Sequence, residues 1–521
     1  MLANRGMGPF LAALVGSSMG QGLAEHSLSV ANEASSHPVV NFQVAQPLTF
    51  PSSLKKCTVE VIHHNFGNSY YHPAIAEWKP PKDCGNPLEW IGVSGNYTVT
   101  SNGTQYDRLS AVTFQNVEIW RTSTAEPSPS GIIWTALKDL SPYLPLFSTP
   151  GRMILDLNNV VDPSHGLDGE YDVTFSITVY TSSKQKGGAR SNGIVALGTL
   201  SPDQAGYAGV PPMLNTTVSL PRNTVEAYAE IYASGNAQEE FWYFNAPDSW
   251  IPALPKGTTF GKGPFREVQL LVDGRLAGFV SPFPILFTGA NVPLIWRPAS
   301  AYGAFDQPTY KVDLTPFVPI LADGHNHTVT INVVSTEPDH AILGNWWVSG
   351  NIQVILDPSD KPTRGFITRY LVPSHATSHI SGTKHKKNGD VNITVAAEHS
   401  LQIEAVLITG SGTTSSVTWE QSYSFSNTQS YVDNATYQVS RQVAGGWSRS
   451  MHGGVVKLED HFSWPLTVDF WTVDRDDGSG WGTIFDHGYD RSETLPPFMG
   501  ANTRIAYQRR SGMAARKNIR K

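Results

Sequence analysis

Short runs of alternating apolar and polar residues recur along the chain, among them Tyr97-Thr98-Val99-Thr100, 173–179, 328–333 and Asn392-Ile393-Thr394-Val395. A period of two carried by β-branched residues predicts half-buried antiparallel strands, because successive strand side chains point to opposite faces. Prolines and glycines separate these runs at spacings typical of sandwiches. The pattern predicts an all-β protein.

Two stretches correspond. The first runs from Tyr106-Asp107-Arg108-Leu109 through a strand to Lys138-Asp139-Leu140-Ser141-Pro142-Tyr143-Leu144-Pro145, then to strands ending near Tyr180. The second runs from Phe265-Arg266-Glu267-Val268 to Val312-Asp313-Leu314-Thr315-Pro316-Phe317-Val318-Pro319, then to strands ending near Leu356. Asp followed by Ser or Thr and Pro predicts a short capped helical turn whose apolar side packs on a sandwich. The expected organisation is two consecutive jelly-roll-like β-sandwich domains, residues 40–183 and 193–358, followed by a β-rich domain over 359–500. A linker over 25–39 and a basic tail over 501–521 flank them. The tail is read as solvated, or else as a processed or tethering peptide.

Composition adds a compartment. Arg5 precedes a mildly apolar stretch from Met7 to Met19, with a possible cleavage point after Ala24. This predicts a secretory signal peptide over 1–24, a short membrane anchor being the alternative. No later run reaches the roughly 18 apolar residues of a spanning helix. Six glycosylation sequons, at Asn96, Asn102, Asn215, Asn326, Asn392 and Asn434, agree with export as a set. The only cysteines, Cys57 and Cys84, suit one disulfide, whose closure contributes roughly 3 to 4 kcal/mol; a reactive thiol or a metal pair are the alternatives. A formal charge of -7 leaves no basic field for nucleic acid. The expected location is outside the cell or in the lumen of the secretory pathway.

Common catalytic signatures are missing from the sequence: it has no Gly-x-Ser-x-Gly elbow, His-Glu-x-x-His helix or Walker loop. Asp474-Arg475-Asp476-Asp477-Gly478 has the wrong spacing for a calcium loop and reads as a hairpin turn. His63-His64 and Asp486-His487-x-x-Asp490 could bind metal but read as satisfied surface or loop histidines, and no metal or cofactor is expected.

The motif-bearing region is Asp107-Arg108 followed by Glu118-Ile119-Trp120-Arg121-Thr122-Ser123-Thr124-Ala125-Glu126-Pro127. Further motifs are Glu240-Phe241-Trp242-Tyr243, Gly263-Pro264-Phe265-Arg266-Glu267-Val268, Leu271-Val272-Asp273-Gly274, Phe287-Thr288-Gly289 and Trp296-Arg297-Pro298. With these in order the chain resembles the peptide-N-glycosidase A family of fungi and plants over about residues 50 to 360. The resemblance implies hydrolysis of the amide between asparagine and the first N-acetylglucosamine of an N-linked glycopeptide or denatured glycoprotein. The products would be a glycosylamine and aspartate.

The Asp-Arg stretch is also similar to that of bacterial glycoamidases built from two jelly rolls with acids near their junction. This likeness implies Asp107 as the water-activating carboxylate and Glu240 as the second acid, with Glu239 beside it an equally acidic candidate. Arg108, Glu118, Trp120, Arg121 and Trp242 would bind or orient substrate. On the residues alone, Asp107-Arg108 reads as a surface ion pair, and Glu267 as an ion-pair partner of Arg266 or Arg275. The family's Ser-Gly-His-Gly is here Ser234-Gly235-Asn236-Ala237, without the histidine. Two rival readings are a non-catalytic carbohydrate-binding sandwich using Trp120 and Trp242 as platforms, and a β-sandwich glycoside hydrolase.

Overall fold

The computed structural model describes residues 37–45, 48, 50–182, 187–289, 296–475 and 478–517, so the expected signal peptide and most of the linker lie outside the described residues. The first half contains strands β1 (Val39–Gln43), β2 (Lys55–Phe66), β3 (Ala74–Trp78), β4 (Gly92–Asn102) and β5 (Leu109–Phe114), then β6 (Val117–Ser123), β7 (Ile132–Asp139), β8 (Gly151–Leu157) and β9 (Glu170–Thr181). One sheet has the order β1-β7-β4-β9-β2, extended at its edge by a strand from the second half; the facing sheet is β3-β8-β5-β6. The period-two runs 97–100 and 173–179 fall inside β4 and β9, and their buried positions alternate. Cys57 in β2 is bonded to Cys84 across a Cα–Cα distance of 5.5 Å.

The second half repeats the plan. Its strands are β10 (Gly193–Leu197), β11 (Ala208–Val210), β12 (Leu214–Val218), β13 (Thr224–Gly235) and β14 (Glu267–Val272), then β15 (Arg275–Val280), β16 (Ala299–Ser300), β17 (Tyr310–Asp313), β18 (His327–Val334) and β19 (Trp346–Leu356). The sheets run β10-β19-β13-β17 and β12-β18-β14-β15. Strand for strand this matches β2-β9-β4-β7 and β3-β8-β5-β6, which is the strand order of a jelly roll in both halves. The repeated Asp-Leu-Ser/Thr-Pro element occupies the same connection twice, between β7 and β8 and between β17 and β18. In each copy the aspartate accepts a hydrogen bond from the backbone N–H two residues on, Asp139 from Ser141 and Asp313 from Thr315, both at 2.8 Å. Leu144, Phe147, Phe317, Val318 and Leu321 bury the apolar side of the turns.

Strands β20 (Arg364–Leu371), β21 (Thr377–Lys384), β22 (Val391–Ile408), β23 (Thr414–Val432), β24 (Tyr437–His452), β25 (Val455–Arg475), β26 (Gly478–Thr494) and β27 (Thr503–Lys517) form one further sheet. The stretch expected to be a solvated basic tail is therefore, as far as Lys517, an edge strand paired with β26. The apolar face of this sheet merges with the core of the second sandwich. Trp419 and Trp464 donate their indole N–H groups to Ala277 O and Ser281 O, and Gln421 bonds both Phe279 N and Phe279 O.

One joint between sheet and sandwich is ionic. His452 in β24 sits 2.9 Å from Asp313 Oδ2 and 3.7 Å from Glu226 Oε1, and these carboxylates push its pKa up to about 9 despite burial. A histidine whose folded pKa exceeds its unfolded value contributes stability that is full below the unfolded pKa, about 6.5, and is lost as pH rises through about 9. Urea unfolding should therefore show His452→Gln destabilised by up to about 3 kcal/mol at pH 6 and indistinguishable from wild type near pH 10. Equal deficits at both pH values would assign the joint to packing instead.

Candidate active site

In both jelly rolls the connection from the third to the fourth of the matched core strands carries an acid. In the first roll this connection is residues 103–108 between β4 and β5, and it holds Asp107. In the second it is the longer connection between β13 and β14, and Glu240 lies near its start, on a turn over Ala237–Glu239. Glu126 leaves β6 on the same end, because Leu109 pairs with Ser123 and the ladder continues through Thr124. Thr124 N donates to Arg108 O and Arg108 N donates to Thr124 Oγ1, both at 2.8 Å. The equivalent connection of the second roll, after β15, brings Gly289 against both first-roll acids.

The result is a cluster of three carboxylates drawn from both sandwiches. A Cβ built on Gly289 would lie 2.6 Å from Asp107 Oδ1 and closer still to Glu126 Oε1, so any larger residue would displace these carboxylates. Gly289 N–H donates to the Asp107 carboxylate, and Asp107 N–H donates to that of Glu126. Burial raises the Asp107 pKa to about 6 against the pull of the Gly289 donor and of Arg108. Burial and then the Asp107 charge push Glu240 well above the usual carboxylate range. Burial, then Asp107, and less strongly Glu240, do the same for Glu126, with Arg297 opposing. Like charges packed together cannot all ionise, so the cluster holds protons at neutral pH. Asp107 and Glu240 keep some solvent-accessible surface, whereas Glu126 is nearly covered. Glu126 Oε1 and the Tyr243 hydroxyl, whose ionisation burial and then Glu240 oppose, are buried with no hydrogen-bond partner among the described residues.

Glu239 is occupied elsewhere. Its carboxylate takes two bonds from Arg266, at 2.5 and 2.7 Å, one from Trp346 Nε1 and one from Leu343 N, both at 2.8 Å, and it is fully buried. A carboxylate with four donors has nothing left for a substrate. It anchors the turn that presents Glu240. Arg266 is thereby taken, and Glu267 is paired neither with it nor with Arg275: its partners are His399 Nδ1 at 2.7 Å, Gln269 Nε2 at 2.8 Å and the Tyr423 hydroxyl. The histidine-free Asn236 bonds to Asn345 through both backbone and side chain. Ala237, where the family carries glycine, holds a left-handed φ of 53°.

Four residues expected to touch substrate are interior. Trp120 is fully buried, with its indole N–H bonded to Phe305 O, and Trp242 is packed against Trp346. Glu118 and Arg121 form a bidentate pair, both contacts 2.7 Å, with neither side chain exposed. Arg121 also reaches Ser234 Oγ and Trp347 O of the second sandwich, and Ser349 Oγ donates to Glu118. These side chains join the sandwiches and offer no surface to a ligand, which also removes the stacking platforms of the binding-only reading. Arg108 is the expected contact that stays partly open, held by Gln105 Oε1 at 2.7 Å and Asn159 Oδ1 at 3.3 Å. Sequence reasoning missed Glu126 as a site residue. Its signal was there, as the acid of Thr-Ala-Glu-Pro directly after a strand whose end pairs beside the Asp107 segment.

Residues 47–373 match the model of a family described as peptide N-acetyl-beta-D-glucosaminyl asparaginase amidase A, and residues 392–466 match that family's C-terminal domain. A peptide-N4-(N-acetyl-beta-glucosaminyl)asparagine amidase A from Prunus dulcis is 33% identical over 371 residues, 67% of this chain; the chain spans 62% of that relative's length. Among solved structures, recombinant N-glycanase F superposes with a TM-score of 0.37 at 12% identity over 58% of this chain and 96% of its own. PNGF-II gives 0.39 at 11% identity over 59% and 66%.

Proposed function

Because the chain belongs to the peptide N-acetyl-beta-D-glucosaminyl asparaginase amidase A family, we propose that it hydrolyses the amide linking an N-glycan to asparagine in glycopeptides. The observation that carries this reading is the cluster of Asp107, Glu126 and Glu240, in which burial raises one acid to about 6 and burial with the Asp107 charge holds the other two protonated. Such a set supplies a base and an acid at once. Asp107 takes a proton from water as its oxygen attacks the side-chain carbonyl carbon. A proton from Glu240 passes to the amide nitrogen as the C–N bond breaks. Glu126, buried and protonated, accepts the Asp107 N–H and so positions the base from behind. A glycosylamine leaves, and aspartate remains.

The test is the mass of the residual peptide. The purified protein should convert an N-glycosylated peptide into one about 1 Da heavier than the asparagine form, after loss of the whole glycan. A peptide retaining one N-acetylglucosamine would assign glycoside hydrolysis instead, and an unchanged glycopeptide would remove the activity. The pH profile follows from the cluster. Activity requires Asp107 ionised and Glu240 protonated, so kcat/KM should rise as pH passes through about 6 and fall again on the alkaline side as the coupled acids lose their protons. A flat profile from pH 4 to 8 would contradict these roles.

The protein is further proposed to be a secreted glycoprotein. No helix among the described residues is long and apolar enough to cross a membrane. Asn102, Asn215, Asn326, Asn392 and Asn434 are exposed, and only Asn96 is half-buried, within β4. Supported by their exposure, the sequons are read as glycan acceptors.

A further inference from the structure

The connections that carry the acids share an end of each sandwich with those from the first to the second core strand. In the first roll that connection, residues 67–73 between β2 and β3, presents Tyr70 and Tyr71 as an edge-to-face pair, 44% and 78% exposed. Tyr71 holds a left-handed φ of 62°. For a bulky residue this is a strained conformation, and such strain persists where the surroundings enforce it. In the second roll the equivalent connection carries Tyr207, whose ring meets that of Trp347 edge to face at 5.1 Å, both half-buried.

These two aromatic pairs are joined to each other and to the acid cluster. Asn158 is the junction: its Oδ1 accepts from Tyr71 N at 3.2 Å, and its Nδ2 donates to Asp156 Oδ2 at 3.0 Å and to the Tyr207 hydroxyl at 3.3 Å. Tyr207 in turn donates to Asp156. The next residue, Asn159, accepts from Arg108 Nε, one position from Asp107. The two aromatic pairs, tied together from beneath by half-buried Asn158 and buried Asp156, thus form a strip of ring faces beside the reacting end of the molecule. Rings that offer one apolar face and polar neighbours suit a pyranose, whose axial C–H face is apolar and whose rim is hydroxylated.

We propose that this strip, with Tyr71 and Trp347 at its two ends, binds the oligosaccharide of the substrate beyond its first sugar and sets how much of the glycan is recognised. The proposal rests on the glycoamidase reading and adds to it a specificity surface that lies outside the acid cluster. The experiment uses one peptide bearing N-glycans trimmed stepwise from full length to the innermost N-acetylglucosamine. For Tyr71→Ala and Trp347→Ala, KM should rise about tenfold on the full glycan, the effect should shrink with each trimming, and kcat should stay near wild type. Tyr71→Phe should behave as wild type, because the ring face and not the hydroxyl is used. Tyr71 is so exposed that its truncation leaves folding intact, which keeps the test valid if Trp347→Ala is unstable. A KM unchanged on the full glycan in Tyr71→Ala, or one that rises equally on every glycan and tracks peptide length, would overturn the proposal. Should the wild type release no glycan, calorimetric titration with the free oligosaccharide still decides it. Weaker binding by Tyr71→Ala would then uphold the strip while the hydrolytic reading falls, and equal binding would refute the strip.

Discussion

Asp107→Asn is expected to lower glycan release by roughly 10² to 10⁴-fold, the usual contribution of a positioned general base, while the folded protein is retained. The geometry explains why the two readouts separate. Asparagine preserves the shape of the side chain and can still accept the Gly289 N–H bond but cannot take a proton from water. It also relieves the cluster. A carboxylate whose folded pKa is raised from 3.8 to about 6 binds its proton more tightly folded than unfolded, so its ionisation costs stability as pH rises through that window and the cost persists above it. Removing the charge at pH 7 should leave Tm unchanged or raise it. Loss of activity with unaltered or higher Tm assigns chemistry to Asp107. Wild-type rates in a folded Asp107→Asn protein would move the base elsewhere, with Glu126 the next candidate by position.

How far the sequence reaches toward this site varies with the kind of information needed. The period-two runs and the repeated Asp-Leu-Ser/Thr-Pro element were legible because strand alternation and capping are local, and β4, β9, β18 and β22 contain the expected runs. The resemblance supplied Asp107 and Glu240, and the structure brings them together. Two things were hidden. The first is which of two adjacent glutamates is free, since that depends on Arg266 and Trp346 arriving from distant strands to occupy Glu239. The second is the phase of β6. Val112 pairs with Trp120 but Thr113 pairs with Glu118, so Ile119 is an extra residue in the ladder. This bulge puts Glu118 and Arg121, three apart and opposed in a regular strand, on one side. Because β6 also packs against β10 and β19 of the second sandwich, every one of its seven residues is buried. Alternation of acid, tryptophan and arginine therefore marked an interface between sandwiches, where sequence reasoning expected a substrate face.

That interface makes the second large effect a matter of stability. Arg121→Met should destabilise the protein by about 3 to 5 kcal/mol in urea unfolding, because it leaves Glu118 as an unpaired charge in the interior. Ser349 would remain its one other hydrogen-bonded partner. The double variant Glu118→Leu/Arg121→Met should recover most of that loss, since a buried pair replaced by apolar groups of similar volume is often neutral. Activity then distinguishes a joint from a ligand contact. Ser234, which Arg121 grips at 3.0 Å, lies in β13 six residues before Glu240, so a displaced single variant should lose glycan release along with its stability. The double variant, with the sandwiches again seated, should release glycan within about tenfold of wild type. If it is stable yet fails to bind substrate, Glu118 and Arg121 reach the ligand after all, and the junction opens in solution far more than their complete burial implies.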